Sequence, residues 1–322
     1  MIKLNWFFIL QCSVFLFSFL FIKFTLPLLQ KLGCRQLVRD DGPQSHLVKA
    51  NTPTMGGLYG LVFFTIYMLI TYALNPKVFN SGSLFALYSL FLAYGILGMI
   101  DDLCKINAKK GLSISFKLLL QIFVSLLWSY CFVSHHDIVI PGLYTLSLQG
   151  VWLIIWTSFV IVASVNAINF TDGLDGLMIQ TVLMVLLGLL VIAYAMDHSS
   201  GLIYAGLFTC MILLMIYPFN LYPAKLFLGD TGSMSIGAIV AGLALLQQLE
   251  IPFILMGIVF VIETMSVAIQ IMSFKLFRKR VFKMAPIHHA FELSGWHEQE
   301  VVRLFTIITL IGTFLAVWWV IG

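Results

Sequence analysis

Residues 150–196 read GVWLIIWTSFVIVASVNAINFTDGLDGLMIQTVLMVLLGLLVIAYAM. Two uncharged apolar segments, 150–168 and 177–196, flank the polar string Asn169-Phe170-Thr171-Asp172-Gly173-Leu174-Asp175-Gly176. Each flank is close to the roughly 20 apolar residues that a helix needs to cross the hydrocarbon core. A strand of a membrane barrel alternates apolar and polar residues, and neither flank does. Inside lipid a spanning segment must satisfy its own backbone groups, so each flank predicts a transmembrane helix.

Working outward, the same signal recurs. Hydropathy predicts ten spans, at 5–29, 55–74, 83–100, 115–133, 150–168, 177–196, 202–217, 233–248, 252–274 and 304–321. Of the 322 residues 61% are hydrophobic and 10% are charged, against about 25% charged in soluble domains. Such a chain cannot cover itself with a polar surface, which excludes a secreted or cytosolic globule. Met1 to Gln30 has only Lys3 before its apolar run and no small-x-small cleavage site, so it reads as an uncleaved first span. The five cysteines show no CxxC or Cys/His spacing and read as small hydrophobes. The external stretch 135–149, with Pro141-Gly142 after a β-branched run, reads as a short hairpin. The fold class expected is an all-α polytopic membrane protein of about ten transmembrane helices, one domain over 1–322.

The segments between spans alternate in charge. Lys31, Arg35, Arg39 and Lys49 fall in 30–54, Lys105, Lys109 and Lys110 in 101–114, and six Lys or Arg in 275–303. The intervening segments hold only Lys77. The net charge of +4 is therefore a topological signal and not a nucleic-acid footprint. By the positive-inside rule the basic set is cytoplasmic, which puts both termini on the periplasmic side. Ten of the fourteen carboxylates then fall on the cytoplasmic side. Asp101, Asp102, Asp172, Asp175 and Asp230 lie at span ends, where acids are costly unless they meet a cation, a polar cavity or each other. The functional face is expected to be cytoplasmic.

Five blocks carry chemistry. Asp101-Asp102-Leu103-Cys104-Lys105 closes span three; paired acids at an interface want a metal or a lysine, and Lys105 lies one turn from Asp101. Alone, it equally reads as a solvated helix end. Asn166 to Gly176 sets Asp172 and Asp175 three residues apart with a glycine after each, which permits close backbone approach to a ligand. Asn220 to Ser233 brackets Asp230 with Gly229, Gly232 and Ser233; a helix opening there welcomes phosphate, and a plain N-cap is the alternative. Pro286-Ile287-His288-His289-Ala290-Phe291-Glu292 offers adjacent imidazoles, which alone read more simply as interfacial residues. Asp40 to Gly57 combines Lys49, Thr54 and a glycine pair, or is a polar loop. Together the blocks supply acids for a divalent cation and Lys and His donors for phosphate, a set that suits Mg²⁺ and phosphoryl transfer at the membrane.

Those five blocks, in this order along nearly the whole chain, resemble the phospho-N-acetylmuramoyl-pentapeptide transferase family of the polyprenyl-phosphate N-acetylhexosamine-1-phosphate transferase superfamily. The resemblance implies a bacterial inner-membrane enzyme that moves phospho-MurNAc-pentapeptide from UDP-MurNAc-pentapeptide to undecaprenyl phosphate. It releases UMP and forms lipid I with Mg²⁺ as cofactor. It implies that Asp230 binds the metal and that Asp101 and Asp102 handle the lipid phosphate. Lys49, Thr54, Asn169, Asp172, Gly173, Leu174, Asp175, Asn220 and Phe227 match donor-binding or cleft positions, and His288 and His289 match a histidine motif near the donor. Lys105 is expected to offset phosphate charge. A homodimer is also implied. Two positions depart: Ala290 replaces the usual third histidine, and Asn51 replaces a glycine before Thr52-Pro53-Thr54. A GlcNAc-1-phosphate transferase is the alternative within the superfamily, and a secondary transporter is the alternative outside it.

Overall fold

The computed structural model describes residues 2–31, 52–76, 82–108 and 110–322. Among the described residues, twelve helices and one hairpin follow one another: α1 (Ile2–Lys31), α2 (Gly57–Leu74), α3 (Ser83–Ala108), α4 (Ile114–Phe132), β1 (His136–Ile140), β2 (Tyr144–Leu148), α5 (Gly150–Thr171), α6 (Leu177–Ala195), α7 (Ser200–Asn220), α8 (Gly229–Leu246), α9 (Glu250–Met256), α10 (Ile258–Phe277), α11 (Ile287–Glu292) and α12 (Glu298–Ile321). The all-α expectation is met. Among the described residues, nine helices are long and apolar enough to cross a membrane. The expected first span falls in α1, whose described apolar part, Ser13–Leu29, is shorter than the other nine.

The expected ninth span, 252–274, is two helices. Gly257, at φ −92° and ψ 27°, breaks the chain between α9 and α10. The hairpin is present, with β1 antiparallel to β2 and His136 opposite Leu148. It is tied to α9 by a buried pair between His136 Nε2 and Glu250 Oε1.

α8 is the axis of the bundle. It packs against α3 and α5 along its length, and 83% of its apolar window is buried, against 22% for α4 and α10. A helix apolar and small all round belongs inside, not at the lipid face. Its N-terminus enters a crowded place. A Cβ on Gly98 of α3 would lie 2.2 Å from the Asp230 carbonyl oxygen, and one on Gly57 of α2 would lie 2.0 Å from the Gly232 nitrogen. Only glycines let three helices meet so closely. The backbone there is stitched as well: Phe227 N donates to Pro53 O (2.9 Å), Gly56 N to Phe227 O (2.8 Å) and Gly57 N to Leu228 O (2.9 Å).

Helices run further than hydropathy marks. α3 continues past residue 100 to Ala108, α5 reaches Thr171, and α8 begins at Gly229. The polar blocks therefore ride on the last and first turns of rigid helices, all at one end of the bundle.

Candidate active site

Four helix ends converge there: the C-termini of α3 and α5 and the N-termini of α4 and α8. Lys105 Nζ lies 2.8 Å from Asp101 Oδ2, 3.0 Å from Asp230 Oδ1 and 3.7 Å from Asp102 Oδ1. Lys117, in the first turn of α4, pairs closely with Asp230 Oδ2 and lies 3.4 Å from Asp101 Oδ2. Asn169 Nδ2 donates to Asp230 Oδ1 (3.2 Å) and Ser233 Oγ (2.7 Å). Two lysines thus hold Asp101 and Asp230 together from opposite helices. Lys117 was not among the expected site residues.

The neighbouring acids differ in their surroundings. Asp102, 2% exposed, accepts from Asp230 N (3.1 Å), Thr231 N (2.9 Å) and Thr231 Oγ1 (2.7 Å). It caps α8, satisfying amides that a helix start leaves open. Asp101 Oδ1 accepts from Leu112 N (2.7 Å), which draws the α3–α4 connection over the site. Gly229, at φ +71°, brings its Cα side against Asp102 and Thr54: a Cβ would lie 2.6 Å from Asp102 Oδ2 and 2.8 Å from Thr54 Oγ1. Thr54 is buried at this junction.

The Asp172 turn forms the second wall. Asp175 N donates to Glu298 Oε1 (2.6 Å), and Asp175 Oδ2 accepts from Ala224 N (2.9 Å). Asn220 Oδ1 accepts from Gly176 N (3.1 Å) while its Nδ2 donates to Leu226 O (3.0 Å). Asp175 and Asn220 therefore clamp the turn to the 220–228 segment, and Leu174 anchors it in a small apolar cluster with Leu177, Val301 and Phe305. Among the described residues no side chain donates to the Asp172 carboxyl. Burial, and then the charges of Asp230, Asp102 and Asp175, hold its pKa well above the ordinary carboxylate range. His288 abuts the turn, since a Cβ on Gly173 would lie 2.3 Å from its Nε2. Its ring stands 4.2 Å from that of His289, whose Nδ1 is 2.8 Å from Glu292 Oε2. Phe227 contributes backbone to the stitch described above. Lys49, the donor-binding residue expected before span two, lies outside the described residues, as does Asn51.

The oxygen-rich donor set fits a hard divalent cation. No group of three or more His, Cys, Asp or Glu side chains is arranged to hold a metal among the described residues. Mg²⁺, however, is commonly bound by one or two carboxylates together with phosphate oxygens and water. Asp230 and Asp172, whose carboxyl has no side-chain donor among the described residues, are the carboxylates suited to that task.

Residues 84–248 match the model of glycosyl transferase family 4, a stretch that runs from α3 to the end of α8 and contains most of the cluster. The chain is also 42% identical over 296 residues to the phospho-N-acetylmuramoyl-pentapeptide-transferase of Clostridium perfringens strain 13, covering 90% of this chain and 91% of that one. It is 41% identical over 307 residues to the enzyme of that name from Clostridium acetobutylicum, covering 94% and 95%. With that from Caldanaerobacter subterraneus subsp. tengcongensis the identity is 39% over 302 residues, covering 91% and 92%. Matched nearly end to end at this level, the chain belongs to the phospho-N-acetylmuramoyl-pentapeptide-transferase family.

Proposed function

We propose that this protein transfers the phospho-MurNAc-pentapeptide unit of UDP-MurNAc-pentapeptide to undecaprenyl phosphate, forming lipid I and releasing UMP. The observation that carries the reading is the Asp101–Lys105–Lys117–Asp230 cluster at one end of a membrane bundle. It sets two cations and several acids where a soluble diphosphate and a lipid phosphate would meet. The hard part of this reaction is to bring two anions together. Much of a phosphate monoester is already dianionic near neutral pH, its second pKa being about 6, so a strong base is not needed.

The oxygen of the lipid phosphate attacks the β-phosphorus of the donor, a new P–O bond forms, and the bond to the UMP oxygen breaks. Lys105 and Lys117 offset the charge of the gathered phosphates. Asp101 orients the acceptor, and Asp102 holds the start of α8 so that Asp230 faces the cluster. Both Asp102 oxygens are engaged by that helix, which favours direct transfer over a covalent intermediate on this residue. Asp230 with Asp172 would hold Mg²⁺, which when bound would supply electrostatic stabilisation of phosphate charge. Asn169 orients Asp230, while Asp175 and Asn220 brace the Asp172 turn. His288 and His289 border the donor, and Lys49 supplies a further cation. The site faces the cytoplasm of a bacterial inner membrane and both termini face outward, in keeping with the positive-inside reading of the basic segments. The working unit is a homodimer, as the family resemblance implies.

The test is UMP release by purified protein with undecaprenyl phosphate and either UDP-MurNAc-pentapeptide or UDP-GlcNAc. Turnover with the first alone is expected. Turnover with UDP-GlcNAc alone would instead make the protein a GlcNAc-1-phosphate transferase.

A further inference from the structure

Glu263 is a carboxylate in the second turn of α10, a helix whose neighbouring side chains Ile262 and Met265 are 39% and 51% exposed. Its own exposure is 0%. A buried acid inside a span is costly and is retained where it has a partner. The partner is His288, also 0% exposed, with Nδ1 3.0 Å from Glu263 Oε1. With Glu263 as the acceptor of that bond, Nδ1 is the atom that carries the shared proton. That leaves Nε2, the atom pressed against Gly173, with no partner among the described residues.

Two turns along α10, Gln270 acts on the same returning segment. Its Nε2 donates to Phe282 O (3.0 Å), and its Oε1 accepts from Val281 N and Phe282 N (3.0 Å each). One polar seam on α10 therefore fixes both the loop that leads to α11 and the imidazole that α11 carries. The spacing of seven residues puts Glu263 and Gln270 on the same helix face.

We propose that Glu263 is a positioning residue for the transfer reaction. Its carboxylate orients the His288 ring and sets its tautomer, so that Nε2 is presented at the Gly173 turn beside Asp172. This rests on the transferase reading above. A carboxylate that orients an imidazole in this way acts through the ring and not on substrate.

The test compares Glu263→Ala, Glu263→Met, Glu263→Gln, His288→Ala and the double variant Glu263→Ala/His288→Ala. It reads kcat/KM for UDP-MurNAc-pentapeptide and the unfolding temperature in the same detergent. Met fills the volume without an acceptor, whereas Gln keeps the acceptor. The Ala and Met variants are expected to lose about tenfold or more in kcat/KM, and Gln less than about threefold. In the His288→Ala background, Glu263→Ala is expected to change nothing further. Full activity in Glu263→Met, or a double variant as impaired as the product of the two single ones, would overturn the proposal. If the wild-type protein forms no UMP at all, the transferase reading fails by itself. The pairing is then decided by unfolding temperature, where non-additive shifts support it and additive shifts overturn it.

Discussion

Lys117 occupies the fourth position of an apolar helix, and its ammonium reaches both Asp101 and Asp230. With only Lys105 left, the two acids would repel each other and the gathered phosphates would lose a fixed cation. Lys117→Met is therefore expected to lower turnover roughly a hundredfold or more, as loss of one preorganised electrostatic group does elsewhere. A steady-state UMP assay checks this, and near-normal turnover would remove Lys117 from the site. Asp172 invites the opposite experiment. Its raised pKa means that the folded state holds a proton which the unfolded chain gives up above about pH 4. Without a cation, ionisation at this position thus opposes folding, increasingly so as pH rises toward the folded value. In EDTA, Asp172→Asn is expected to raise the unfolding temperature by on the order of 2 °C or more near neutral pH. The gain should shrink as the buffer approaches pH 4. A variant that melts below wild type in EDTA at neutral pH would contradict this account of Asp172.

Elements show what could be read from the chain and what could not. Asp101, Asp102, Asn169, Asp172, Asp175 and Asp230 stood out because polar residues and glycines crowd the ends of apolar runs. Lys117 did not, because hydropathy absorbed it into span four. Its position in the first turn of a helix entering the membrane was the available signal. The division of roles between Asp101 and Asp102 was equally hidden, since adjacent residues look alike until α8 arrives from 128 residues away to use one of them. Glu298 and Asn220 brace the Asp172 turn from other helices, a relation with no trace in local pattern. The break at Gly257 leaves no mark in the hydropathy, because apolar residues continue on both sides of it. The cap on α8 gives a test at this scale. Asp102→Ala would leave the Asp230 and Thr231 amides and the Thr231 hydroxyl unsatisfied, at a cost of about 1–3 kcal/mol in unfolding free energy. Unfolding in mixed micelles checks it; an unchanged midpoint would show that Asp102 does not hold the helix.

At the scale of the whole molecule, the bundle has two unlike ends. One carries the acid–lysine cluster and the basic segment 275–283. The other carries the β1–β2 hairpin, whose Leu143 is 81% exposed. The orientation proposed here predicts that Leu143→Cys, in a cysteine-free background, reacts with a membrane-impermeant maleimide in intact cells. Arg280→Cys should react only after lysis. The reverse pattern would turn the protein over and place the cluster outside, away from any cytoplasmic nucleotide donor.

The central claim is that the cluster around Asp230 makes lipid I. It is tested most directly by mass-spectrometric detection of lipid I from UDP-MurNAc-pentapeptide and undecaprenyl phosphate, using wild type and Asp230→Asn side by side with Mg²⁺ and with EDTA. The account predicts lipid I and matching UMP from wild type with Mg²⁺, and essentially none in EDTA or from Asp230→Asn. Lipid I formed at the wild-type rate by Asp230→Asn, or by wild type in EDTA, would contradict it.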